Sequence, residues 1–268
     1  MKIVSFFFAI SLIISCGKVS DETTITYIDK QSEENLKVLF GSSMSLMEVE
    51  VVYEPGAEPY VGSRPNGKPY WNLFETNIKE IFKQREGDYT LVVPKTLAEM
   101  RQIPDQAKSS WSVADLQALE KAHRRTVHSG TQASLFVVFV EGYMEQNGSA
   151  NPGIIGVSVA GSTMVAIFKD VIKGVAETSS AATAKFMEQS TLVHEFGHTV
   201  GLVDNGVGMS TNHKDEEHGH HCDNSNCVMY WKNEGKSDLI LFVQQMMLSG
   251  NSVMFDQNCL NDTKNYSP

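Results

Sequence analysis

Three observations predict an α/β domain of the α+β kind. Segments that alternate every second residue are interleaved with segments of helical period. One segment, Ser134 to Val140 (SLFVVFV), is apolar throughout but for Ser134, as in a central strand buried on both faces. No Pro/Gly/Ser-rich linker and no internal repeat divides the 268 residues, a length that sustains one full core. The expected architecture is a mixed, twisted sheet with two helices, then a third helix carrying the chemistry, then a loop-rich lower half closed by a C-terminal helix.

Residues 1–15 read as an export signal rather than as part of the fold. Lys2 precedes a mostly apolar run, Ile3 to Ile14, which is too short for a bilayer span of about 20 residues. The run ends in Ile13-Ile14-Ser15-Cys16-Gly17, which resembles a bacterial lipobox with Cys16 as the lipidated residue. Residues 16–35 are polar and expected to tether the domain. Export to a membrane follows, with the outer membrane favoured because no acidic residue sits directly after Cys16.

Within residues 36–268 the elements follow in order. Leu46 to Tyr53 alternates and is rich in β-branched residues, so it reads as a strand. Pro55 to Pro69 is irregular. Trp71 to Gln84 carries Leu73, Phe74, Ile78, Ile81 and Phe82 at helical spacing. Tyr89 to Val93 is a short strand stopped by Pro94. Ser112, with Asp115 three residues on, opens a second helix through a near capping box, expected to reach Val127. Gly153 to Ala160 and Met164 to Phe168 are two more strands, and Ser180 to Leu202 is a long helix. Asp238 to Leu248 is the last helix, and the tail from Asn251 is expected to be loosely ordered.

The chemistry concentrates in His194-Glu195-Phe196-Gly197-His198. Residues four apart on a helix share a face with Cβ atoms about 5–6 Å apart, so both imidazoles reach one ion. Zinc takes histidine nitrogen, and a catalytic site holds three protein ligands and a water. Glu195, turned away from that face, suits a base beside the water better than a ligand. The stretch is the HExxH pattern. Gly201 ends the helix three residues after His198, where a positive φ turns the chain sharply, as a third ligand from the next loop requires.

HEFGHTVGL, followed by His221-Cys222-Asp223-Asn224-Ser225-Asn226-Cys227-Val228-Met229, resembles the metzincin clan of zinc peptidases and within it the archaemetzincins. The likeness covers residues 194–229. It implies a metzincin-like fold and zinc held by His194, His198 and a third group. That group is His221, as in archaemetzincins, with Asp204, the simple metzincin position, as the alternative. It also implies Glu195 as general base and a Met-turn at Met229. The strand region Ile154 to Phe168 is implied to border the cleft and pair with substrate main chain. Archaemetzincins add a second zinc site of four cysteines, including a CxxC. This chain has no CxxC.

With Cys16 lipidated, Cys222, Cys227 and Cys259 remain. Export permits disulfides, so a Cys222–Cys227 bridge is expected. A bridge from Cys259 or a structural zinc shared with loop histidines is the alternative. Six of the eight histidines lie between His194 and His221. His213, His218 and His220 are read as loop residues, and His123 and His128 as surface residues without a role. A net charge of −10 argues against nucleic acid, which needs a cationic face.

The expectation is therefore a monomeric, lipid-anchored zinc metalloendopeptidase acting on peptide or protein substrates. A non-catalytic zinc-capturing lipoprotein is the alternative. It would keep the histidines but have no use for Glu195, Gly201 or the Cys-Val-Met turn.

Overall fold

In the computed structural model, residues 22–266 and Pro268 are described; the signal segment and Cys16 lie outside them. Helix α1 (Glu22–Phe40) buries Leu36, Leu39 and Phe40 in the core, at the i, i+3, i+4 spacing of one helical face. The stretch expected to be a tether up to Asn35 is thus helical from Glu22 and docks on the domain.

Strand β1 (Leu46–Tyr53) has the predicted limits. Helix α2 (Asn72–Ile81) buries the predicted stripe together with Asn77. Strands β2 (Thr90–Val92) and β3 (Arg101–Gln102) both pair in parallel with β1, and β4 (Ser110–Trp111) belongs to a second, small sheet. Helix α3 (Val113–His123) starts on the Ser112–Asp115 capping box. It stops short of Val127 because Arg124 turns extended and donates to the Ser134 carbonyl and the Thr163 hydroxyl. His128 therefore lies beyond the helix and is half-buried rather than a plain surface residue. Its Nδ1 accepts from the Ser134 amide at 3.1 Å, and its Nε2 lies 3.3 Å from the Asn35 carbonyl.

Strand β5 (Gln132–Val140) is buried from Ala133 onward and pairs in parallel with β1 along its length, Leu46 with Gln132 through Tyr53 with Phe139. Strands β6 (Tyr143–Gln146) and β7 (Ser149–Asn151) form a hairpin joined to β4. Strand β8 (Gly156–Val159) runs antiparallel to β9 (Met164–Phe168), which is parallel to β5. The order is β2-β1-β5-β9-β8, a mixed sheet whose one antiparallel strand is an edge.

Helix α4 (Lys169–Thr178) leads into α5 (Ala181–Thr199), capped by the Ser180 hydroxyl, which accepts from the Thr183 amide at 3.0 Å. A buried ion pair between Lys169 and Glu188 ties α4 to α5. Gly156 brings β8 close onto α5, since a Cβ there would stand 2.7 Å from the Thr191 methyl. Beyond α5 the chain is mostly loop until a 3-10 turn at Trp231–Glu234 and α6 (Lys236–Ser249), which ends on left-handed Gly250. The tail is ordered where a loose end was expected. Asp256 caps α7 (Gln257–Asn265) by accepting from the Cys259 amide, and Cys259 and Asp262 are buried. Among the described residues, no helix is long and apolar enough to cross a membrane.

Candidate metal centre

Helix α5 presents His194 and His198 on one face with their Nε2 atoms 3.2 Å apart. His194 Nδ1 lies 2.7 Å from the Val228 carbonyl, so it donates there and leaves Nε2 to face His198. Asn233 donates to the same carbonyl at 3.1 Å. A backbone acceptor behind a ligating imidazole fixes its tautomer and its aim.

Two residues turn the chain under these rings. Gly201 has φ 79°, and Val207 donates back to its carbonyl. Met229 lies beneath the helix at Gly197, where a Cβ would stand 2.3 Å from the methionine sulfur. The glycine inside HEFGH is therefore the space into which the Met229 side chain rises.

The loop after Gly201 leaves and returns as a narrow hairpin. Asp215 donates to the His221 carbonyl and Asp223 to the His213 carbonyl, both at 2.8 Å. His218 stacks on Trp231 at 3.7 Å and pairs with Asp215. The return brings His221 to the other two imidazoles, with ring centroids 5.3 Å from His194 and 4.9 Å from His198. His221 Nδ1 lies 2.6 Å from the His218 carbonyl, which again leaves Nε2 to face inward.

Asp204 does not join them. Val203 and Asp204 both take positive φ, and the Asp204 carboxylate is half exposed, 3.4 Å from Lys214. Of the two alternatives, the described geometry brings His221 to the histidine pair. The fourth member was not foreseen: Glu234 on the 3-10 turn has Oε1 3.0 Å from His221 Nε2 and 4.0 Å from His194 Nε2. One donor atom from each of His194, His198, His221 and Glu234 lies within 4.8 Å of all the others. No spacing rule links Glu234 to HExxH. Its nearness to Met229 in sequence was the only available signal.

The residues fit a metal ion. Burial and the neighbouring His221 pull the His194 pKa down to about 4. Burial and His194 hold His198 well below the usual histidine value, so both imidazoles are neutral, the ligating form. Burial also works against charge on His221, but the Glu234 carboxylate lifts it above the ordinary value. His221 Nε2 is buried and lacks an aligned hydrogen bond, as suits a nitrogen aimed at a shared ion.

A second group lies on the far side of the His221–Cys222 peptide. His213, Cys222, Asp256 and Cys259 also bring donor atoms within 4.8 Å of one another, and Cys227 Sγ is 3.5 Å from Cys259 Sγ. His213 Nδ1 is 3.3 Å from Cys222 Sγ, and its Nε2 is 2.7 Å from the Asp262 carboxylate. All three cysteines are free and buried. The cysteines are present as thiols, with Cys222 lying beside Cys227 and Cys259 as well as His213. Two buried groups able to hold a metal ion thus share one loop.

Clefts meet at the first group. One of about 360 Å3 is lined by Gly156 and Val157 of β8, by His194 and Glu195, and by Trp231 and Glu234. Another of about 720 Å3 is lined by Ser158 and Val159, His198, Asp204 and the Leu36 end of α1. Strand β8 borders both. No protein-family model matches this chain, and neither a curated protein nor a solved structure matches it.

Proposed function

We propose that this chain is a zinc metalloendopeptidase of the metzincin type, most similar to the archaemetzincins. The observation that carries the reading is the convergence of three inward-facing imidazoles from α5 and the returning loop, beside Glu195, where two clefts meet along the β8 edge of the sheet. Zinc held by His194, His198 and His221 would lower the pKa of a water to about 7 and polarise a scissile carbonyl.

Glu195 takes the proton of the attacking water on its carboxylate and delivers it to the departing amine. The amine needs that proton because an amide anion is too basic to leave. Its burial next to His194 keeps the carboxylate out of competing hydration. Strand β8 aligns the substrate: an extended peptide adds to an exposed edge through main-chain hydrogen bonds, and its side chains fill the flanking clefts. The Val228 and His218 carbonyls hold the imidazoles in the ligating tautomer throughout. Export through residues 1–15 and lipidation at Cys16, with an outer-membrane destination, complete the proposal.

The second reading, a non-catalytic zinc-capturing lipoprotein, is favoured by one observation: Glu234 supplies a fourth donor, and sites with four protein ligands are typically structural. Casein hydrolysis by the zinc-loaded full-length protein, run beside Glu195→Ala, separates the two. Cleavage that disappears in the variant while zinc stays bound supports the peptidase. Tight zinc binding by both forms, with no cleavage by either, supports capture.

A further inference from the structure

We propose that Glu234 is an exchangeable fourth ligand, occupying in the resting protein the metal position that substrate and water need. The inference rests on the reading of His194, His198 and His221 as ligands of one zinc. Ligand atoms about 2.0–2.2 Å from a common zinc and at tetrahedral angles lie roughly 3.3–3.5 Å apart. The pair distances found here, 3.2 Å between His194 and His198, 3.0 Å from His221 to Glu234 and 4.0 Å from His194 to Glu234, bracket that edge length. With the Glu234 oxygen there, the four donors form a closed set, whereas hydrolysis needs one open position.

The setting of Glu234 distinguishes it from the three histidines. Each histidine is at least nine-tenths buried, and His194 and His221 are each braced from behind by a backbone carbonyl. The Glu234 side chain is 35% exposed and stands in the wall of the 360 Å3 cleft. It is the last residue of a one-turn 3-10 helix, and Gly235 follows it. All three histidines are buried, two of them braced from behind, whereas the fourth donor stands partly exposed in the cleft wall. A substrate entering that cleft brings its carbonyl oxygen to the place where the Glu234 carboxylate lies. Exchange of carboxylate for carbonyl oxygen opens the site only when the cleft is filled, and the exposed carboxylate returns to water.

The test is calorimetric titration of the zinc-loaded full-length protein with acetohydroxamate, a small chelator that needs the same metal position. Wild type is compared with E234A and with E234D, whose shorter side chain keeps the charge but withdraws the oxygen. If the unliganded position is open in roughly 0.1–10% of wild-type molecules, removing the carboxylate tightens acetohydroxamate by about tenfold or more. Zinc affinity, read by competition with a chromophoric chelator, weakens in the same variants. Acetohydroxamate affinity unchanged or weaker in the folded variants, with zinc still on the histidines, overturns the proposal; if E234A does not fold, E234D decides. Tighter acetohydroxamate with no casein cleavage by any form upholds the role of Glu234 and rejects the peptidase. Cleavage without tightening does the reverse.

Discussion

Imidazoles make this centre because each of two has its second nitrogen held. His194 is fixed by the Val228 carbonyl and His221 by the His218 carbonyl, so neither ring has to be ordered when an ion arrives. Removing a supporting partner of a ligand costs roughly 10–100-fold in metal affinity, and removing the ligand itself costs more. His221→Ala is therefore expected to lose zinc from the first group under chelator competition. Asp204→Ala, cutting a side chain that faces Lys214, is expected to retain it. A reversal of that order would return the third position to Asp204. His128 carries a different kind of prediction. Burial, with Arg124 nearby, pulls its pKa down to about 4 from an ordinary 6.5. The unfolded chain then binds more protons than the folded one between those values, so stability falls as pH drops through this window and is fully present above it. His128→Asn is expected to flatten the dependence of the unfolding midpoint on pH between about 4 and 6.5; an identical slope in the variant would assign the dependence to other groups.

Among the elements, α5 is the one on which the others are assembled. Edge strand β8 presses on it through Gly156, and the Met229 side chain rises into the gap at Gly197. Gly197→Ala drives a methyl group against the Met229 sulfur. Overpacking of this kind costs about 1–3 kcal/mol, so a lower thermal midpoint is expected together with reduced zinc content, since Met229 and the ligands share that turn. An unchanged midpoint would mean that the sulfur shifts freely. Elements whose burial repeats in sequence were legible in advance. Strand β1 has the predicted ends, and β5 extends the predicted run by two residues at its start. Elements held by distant partners were not. Helix α4 carries a buried lysine that Glu188 and the Tyr60 ring make tolerable, and α7 depends on Asp256 and on the Cys259 thiol, which faces Cys227 more than thirty positions back. The histidines of α5 could be read from one motif. His221 needed a hairpin to close before it could be chosen over Asp204. Glu234 joins the group through the 3-10 turn that follows Met229, a fold no local pattern announces.

At the scale of the whole molecule, the lower half adds to the one apolar core two buried groups of side chains able to hold a metal ion. Loss of metal is therefore expected to act on folding as well as on chemistry, because ligand binding to the native state alone adds directly to stability. Dialysis against a strong chelator should lower the thermal midpoint, and zinc should restore it with up to two equivalents bound per chain. Restoration complete at one equivalent would leave the Cys222, Cys227 and Cys259 thiols as ordinary packing. The two groups meet at a single link, His221 facing one and Cys222 the other. Adjacent Cα atoms are only 3.80 Å apart across a trans peptide, and this one is held on both sides, by the bond from Asp215 to the His221 carbonyl and the bond from Cys222 to the Met229 carbonyl. Such a joint has little slack. Oxidation of the sulfur cluster would drag Cys222, and with it the neighbouring imidazole, so that the redox history of three buried thiols would be written into how firmly the other ion is gripped.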